Sequence, residues 1–357
     1  MPEALKSVLH RCAASAPFDA AVGVADRLLP SRRGLLTVLT YHRVDDPERH
    51  PERYPGLVSA TPEDFEAQLD LVAARCSVLS LAELLAVRDG RADLPPRAVL
   101  LTFDDAYTDF ADVAWPLLRR AGLPVTLFVP TAYPDVPGRA FWWDRLHDAL
   151  RTTRAPAVGT PAGRLPLGDD AARSTAFRAL RSSVKALPHD EAMGIVEQVL
   201  DDLDAPPAVS PVLGWDRLRA LAAEGLAVAP HSRTHPVLTQ VGPDALVDEV
   251  RGSLDDLERE LGPTPPVFAY PTGGVDDGVA DALATAGYRL AFTTSRGNEA
   301  IRRRADGRGG RSGEPDWLRL RRVNVGRRTT PGLLAAQLLP VPLPPRRRKA
   351  PAAARTS

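Results

Sequence analysis

Four short apolar runs stop just before polar residues, each time in the same direction along the chain. They are Leu35 to Thr40 before Tyr41-His42, Ala98 to Phe103 before Asp104-Asp105, Leu226 to Ala229 before His231, and Val267 to Tyr270 before Pro271. Apolar runs of this length bounded by turn residues read as buried strands. Helical patterns lie between them, over residues 62–74, 112–121, 216–224, 243–261 and 278–286. Strand alternating with helix favours a parallel sheet, and parallel α/β barrels gather their functional side chains at the C-terminal ends of the strands. The expectation is an α/β chain folded as a distorted parallel (β/α) barrel over residues 35–329. The interval 139–212 exceeds what a barrel connection needs and reads as an inserted helical segment. Residues 1–34 read as an N-terminal helical extension, and 330–357 as a C-terminal helix followed by a disordered tail rich in proline and arginine.

His231 and His235 stand four residues apart, bracketed by Pro230 and Pro236. Proline removes a backbone donor and biases its predecessor toward extended geometry, so the pair sits on a loop rather than inside a helix. Two neutral imidazoles and one carboxylate make a three-ligand set for a catalytic zinc with an open position. The alternative is a structural zinc or two hydrogen-bonded loop histidines, but a structural site normally closes with four protein ligands, often cysteines, and no cysteine lies near. Asp104-Asp105 supplies the carboxylate. Alone, that pair reads equally well as a helix N-cap; beside the histidines, at a shared strand end, it reads as a site.

Thr102-Phe103-Asp104-Asp105, His231-Ser232-Arg233-Thr234-His235-Pro236 and Phe268-Ala269-Tyr270-Pro271, in this order and spacing, resemble the signature motifs of the polysaccharide deacetylase family. This is the NodB-homology domain of carbohydrate esterase family 4, and the resemblance covers roughly residues 35 to 326. It implies a NodB-type barrel that removes N-acetyl groups from N-acetylhexosamine units of a glycan or glycan precursor. It implies a divalent metal, Zn²⁺ or in its place Co²⁺ or Ni²⁺, held by Asp105, His231 and His235, with Asp104 as catalytic base. Tyr270 matches the third motif, whose aromatic position offers a backbone amide to the oxyanion.

Amide cleavage also needs an acid to protonate the departing amine. Many members supply a late histidine, yet none follows His235 here. His42, in Thr40-Tyr41-His42-Arg43-Val44, resembles the early Tyr-His motif of the branch that includes bacterial poly-N-acetylglucosamine deacetylases, which implies the acid role for His42. Two positions depart from the family pattern. Ala106 stands where Gly usually follows the aspartates, which matters if φ is positive there. Pro266-Val267-Phe268 lacks the third-motif arginine that orients the base, and Arg322, on the strand-like run 318–325, is the residue that could replace it. Catalytically silent carbohydrate binding, and deacylation of another amide or an O-acetyl ester, remain the alternative readings.

Other features carry less. Trp142-Trp143 reads as an anchor of the insertion to the core, or as a stacking platform for a sugar face. His10, His50, His147 and His189 lack companions and read as structural or solvated. Cys12 and Cys76 have no metal-like spacing and make no disulfide framework. Lysine plus arginine equals aspartate plus glutamate at 45 each, so no global field draws nucleic acid; the expected partner is an acetylated glycan or amino sugar. Residues 302–328 carry ten arginines and begin as a solvated loop. The basic tail at Arg346-Arg347-Arg348-Lys349 leaves weak contact with a membrane surface open. Charges scattered through the first thirty residues interrupt any signal-peptide apolar core, and no run is long enough to span a bilayer. The expected location is therefore cytoplasmic, with envelope association left open.

Overall fold

The computed structural model describes residues 34–301, apart from 162, 207, 208 and 210, together with 315–339, Phe18 and 21–25. Most of the N-terminal extension, the first part of the arginine-rich segment and the tail beyond residue 339 therefore lie outside the described residues.

Seven parallel strands form the frame: β1 (Leu35–Tyr41), β2 (Ala98–Phe103), β3 (Thr126–Val129), β4 (Ala227–Pro230), β5 (Val267–Ala269), β6 (Leu290–Arg296) and β7 (Leu320–Asn324). Their spatial order is β5-β6-β7-β1-β2-β3-β4. That is the chain order written around a ring and cut between β4 and β5, so the sheet is a nearly closed barrel. β1 and β2 pair from Leu36↔Ala98 to Tyr41↔Phe103, and β3 and β4 from Thr126↔Ala227 to Val129↔Pro230. The four expected strands are β1, β2, β4 and β5.

Alternate side chains leave a strand on opposite faces, and here both faces are apolar. Leu36, Val38, Leu100, Phe128, Ala269, Phe292 and Leu320 belong to one buried cluster, while Leu39, Tyr41, Leu101, Phe103 and Leu127 belong to another that packs against helices. Helix α1 (Pro62–Arg75) shows why a connection becomes helical. Thr61 caps it by accepting from the Asp64 amide, Pro62 opens it, and Phe65, Gln68, Leu69 and Val72 form its buried stripe.

Among the described residues the insertion, 139–212, holds three helices, α2 (Trp142–Thr152), α3 (Asp170–Val184) and α4 (His189–Asp202), and a two-stranded hairpin of residues 157–160 and 163–166, and a further helix, Trp215–Ala223, leads into β4. Phe177, Leu180, Val196 and Val199 bury the apolar stripes of α3 and α4 in the same cluster as the barrel's outer face. The pattern over 243–261 is one continuous helix in the sequence reading. In the structure a π turn, Asp248–Gly252, separates Pro243–Val247 from α5 (Ser253–Leu261). The added residue in such a turn re-aims side chains and is frequent at functional sites; here it carries Glu249, whose work is described below. Among the described residues no helix is long and apolar enough to cross a membrane.

Candidate functional site

β2 delivers the two aspartates. The Asp104 amide donates to the Tyr41 carbonyl at 2.9 Å, one last rung of the β1–β2 ladder. The chain then turns sharply: Asp105 has φ 75° and Ala106 φ 51°. The left-handed conformation for which the family's glycine is suited is thus required here, and the fully buried Ala106 adopts it at a steric cost.

Asp104 is held from β7, which lies next to β1 on the far side from β2. Arg322, on β7 and 1% exposed, donates Nη1 to Oδ1 at 2.8 Å and Nη2 to Oδ2 at 2.7 Å, while its Nε donates to the Thr293 carbonyl at 2.9 Å. Burial by itself would raise the Asp104 pKa, but the guanidinium outweighs it and holds the carboxyl below its ordinary value. Arg322 therefore occupies the place of the arginine missing from the third motif.

Asp105 faces the two histidines. Its Oδ1 lies 3.2 Å from His235 Nε2 and 3.5 Å from His231 Nε2, is buried, and accepts no hydrogen bond. His231 Nδ1 lies 2.7 Å from the Ala269 carbonyl. A carbonyl only accepts, so Nδ1 carries the proton and Nε2 presents its lone pair. Burial opposes ionisation of Asp105, yet the two imidazoles bring its pKa well below the ordinary 3.8. Burial lowers the His235 pKa, whereas for His231 the two aspartates overcome burial and raise it.

This donor set fits a divalent ion. The three ligand atoms, all buried, lie within 4.8 Å of one another. Zinc bonds of about 2.0–2.1 Å at tetrahedral angles set ligand atoms roughly 3.3 Å apart, close to the separations seen. A buried carboxylate oxygen with no donor, flanked by the Nε2 atoms of two imidazoles, is a cost that a bound cation removes.

The loop joining the histidines is strained and braced. Ser232 and His235 have φ of 63° and 61°, and the His235 amide donates to Ser232 Oγ at 3.1 Å. Glu249 Oε2 accepts from the amides of Arg233 and Thr234, at 2.8 and 2.9 Å, and its Oε1 accepts from the Thr234 hydroxyl. Asp256 Oδ2 accepts from Arg233 Nε at 3.0 Å and from Thr131 Oγ1 at 2.8 Å. Around His235 stand Phe141 and Trp143, with centroids 5.5 and 5.0 Å from the imidazole. Trp143 donates Nε1 to the Tyr107 hydroxyl at 2.9 Å, and that hydroxyl donates to Asp144 Oδ2 at 2.8 Å. Trp143 is thus an anchor that also walls the site, while Trp142 is half-buried and lines a neighbouring cleft.

His42 ends β1 on the same side. Its amide donates to Ser59 Oγ at 3.0 Å, and its imidazole is near enough to lower the pKa of both Asp104 and Asp105. Tyr270 requires a correction. Its amide donates to the Phe292 carbonyl at 3.0 Å and its hydroxyl to the Leu318 carbonyl at 2.8 Å. The parallel β5–β6 pairing runs one residue past Ala269 and consumes the amide expected to serve an oxyanion. Of the remaining histidines, His50 bonds Asp45 at 2.6 Å and His147 packs tilted against Tyr54, whereas His189 lines the cleft beside His235. His10 lies outside the described residues.

A nearly closed parallel barrel with one buried polar centre at the C-terminal ends of its strands defines the NodB class of fold. The chain belongs to the polysaccharide deacetylase family, whose model matches residues 91–291. Among solved structures the chain is similar to the deacetylase PplD of Streptococcus pyogenes in complex with acetate, at 20% identity and a TM-score of 0.56, over 86% of this chain and 99% of that one. It is similar to IcaB from Ammonifex degensii, at 20% identity and TM-score 0.53, over 87% and 98% of the two chains. A de-N-acetylase from Aggregatibacter actinomycetemcomitans matches at 16% identity and TM-score 0.52, over 83% and 96%. No curated protein matches the sequence.

Proposed function

We propose that this protein is a metal-dependent hydrolase that removes N-acetyl groups from N-acetylhexosamine units of a glycan or glycan precursor. One observation carries the reading: two adjacent buried aspartates have opposite surroundings, Asp104 clamped by Arg322 and Asp105 unsatisfied between two imidazoles. Pairs of titratable groups in contrasting environments mark divided roles. Family membership supports deacetylation of a polysaccharide, and the structural relatives named as deacetylase and de-N-acetylase accord with it.

Asp105, His231 and His235 would hold Zn²⁺, Co²⁺ or Ni²⁺. Such an ion supplies Lewis acidity, lowering the pKa of a bound water and polarising the acetamido carbonyl. Asp104, kept ionised and oriented by Arg322, takes the proton of the attacking water. His42 gives a proton to the amine as the C–N bond breaks, so acetate and a free amino sugar leave.

Acetate release from a panel of acetylated glycans, before and after chelation and with metal restored, tests this. Release that stops on chelation and returns with metal is the expected result. No release from any member, with metal bound, would overturn the reading in favour of a silent carbohydrate-binding relative or a deacylase of another amide or O-acetyl ester.

A further inference from the structure

A cleft of about 300 Å³ begins at His235 and runs between the barrel and the insertion. The barrel wall presents Tyr133, Pro236, Val237 and Thr272; the insertion wall presents Trp142, Val184, Lys185, His189 and Met193. Its charges are unequal. Arg139, Arg145 and Lys185 line it against one carboxylate, Glu197. Glu197 is already taken, for Arg145 donates to both its oxygens, at 2.5 and 2.7 Å. Arg139 donates Nη1 to the Ala132 carbonyl, which leaves its charge unbalanced. Neither Arg139 nor Lys185 has an ion-pair partner among the described residues.

Lys185 is held in place through its backbone. It follows the last residue of α3, and its carbonyl accepts from Gln240 Nε2 at 3.1 Å, a bond that ties the α3–α4 turn to the barrel segment just beyond the His loop. From there its ammonium is within electrostatic reach of Asp105. Low-dielectric walls such as Trp142, Val184 and Met193 concentrate the field of an unbalanced cation in a cleft. Lys185 is exposed at the cleft, so its unpaired ammonium is open to a ligand carrying the opposite charge. An ammonium is a compact point charge without a fork geometry, so it accepts a carboxylate or a phosphate.

We propose that this cleft is a subsite for an anionic sugar residue, one bearing a carboxylate or a phosphate, adjoining the acetamido sugar at the metal centre, with Lys185 as the residue that selects it. The inference rests on the deacetylase reading above and adds the class of glycan.

Titration calorimetry in an Asp104→Asn background, where substrate persists, compares three probes: chitotetraose, which is neutral, a hyaluronan tetrasaccharide, which bears carboxylates, and a 6-phosphorylated chitotetraose. At least one anionic probe should bind about tenfold more tightly than the neutral one, as befits a charge-assisted contact, and added salt should erode the difference. The two anionic arms decide between carboxylate and phosphate. Lys185→Ala should abolish the preference and Lys185→Arg should keep it. Equal affinity for all three probes, or a preference that survives Lys185→Ala, would overturn the subsite. Acetate release from chitotetraose by the unsubstituted protein, together with equal affinities, would sink the subsite alone. An intact Lys185-dependent preference without acetate release from any probe would uphold the subsite and count against the deacetylase reading.

Discussion

At the residue scale, the two aspartates differ in what surrounds them, and their substitutions should part accordingly. Asp104→Asn keeps the shape and one of the two acceptor contacts for Arg322 but cannot act as a base, so turnover should fall at least about 100-fold with metal content unchanged. Asp105→Asn should instead lose metal, read by elemental analysis; the opposite outcome would exchange the two roles. His42→Ala should keep fold and metal and lose far more activity on acetamido sugars than on activated acetyl esters, whose leaving groups need no proton. Equal losses on both substrates would remove the acid role. Much at this scale was legible from sequence. Asp104, Asp105, His231 and His235 come together because each follows a strand whose apolar run is plain. Arg322 was legible only as a gap in the third motif awaiting a filler, since its partner lies 218 positions away. The Tyr270 amide was misread because no local pattern says where a ladder ends.

Elements explain what motifs could not reveal. The loop from His231 to His235 contains two left-handed residues, each costing of order 1–3 kcal/mol, and Glu249 offsets that cost by accepting two of its amides and a hydroxyl. In sequence Glu249 is one more acid in a helical pattern. Only the π turn and the docking of α5 aim it inward. Outer partners of this kind typically set metal affinity by about 10–100-fold. Glu249→Ala should weaken metal binding by that order in a competition titration with a chromophoric chelator, while Glu249→Gln, whose carbonyl can still accept both amides, should retain most of it. An unchanged affinity in Glu249→Ala would make the clamp irrelevant to the site. The insertion presents the converse case: its helices were readable from apolar periodicity, but not the wall it makes, because Lys185 and His189 are unremarkable until the barrel stands opposite.

The whole molecule stores charge as well as shape. Asp144 accepts from Tyr107 through Oδ2, and its buried Oδ1 is unpartnered. Burial, with Asp105 and Asp109 adding to it against the pull of Arg43, pushes its pKa from 3.8 to about 7. The folded state therefore binds this proton more tightly than the unfolded chain, so the stability it confers is complete below about pH 4 and is lost as pH rises to about 7. In metal-free protein, Asp144→Asn should flatten that decline and stabilise the fold at pH 8 by roughly 2–4 kcal/mol. Urea melts across the range check it, and a decline just as steep in the variant would show that the charge lies elsewhere.

The cut in the ring falls between β4 and β5, and His231, which follows β4, reaches across it to the last carbonyl of β5. A ring with one unsealed joint yields at that joint. Here the rivet is the same imidazole whose other nitrogen faces Asp105 in the candidate metal centre, so in the proposed enzyme filling the centre and fastening the barrel would be one event. Amide exchange along β5 should slow markedly on adding metal while the β1–β2 rungs hardly respond; uniform slowing of every strand would contradict this. Such a molecule breathes where it works. In the proposed metal-dependent deacetylase, loosening of the β4–β5 seam and release of the ion would share one hinge line, because the imidazole that bridges the seam would also hold the ion.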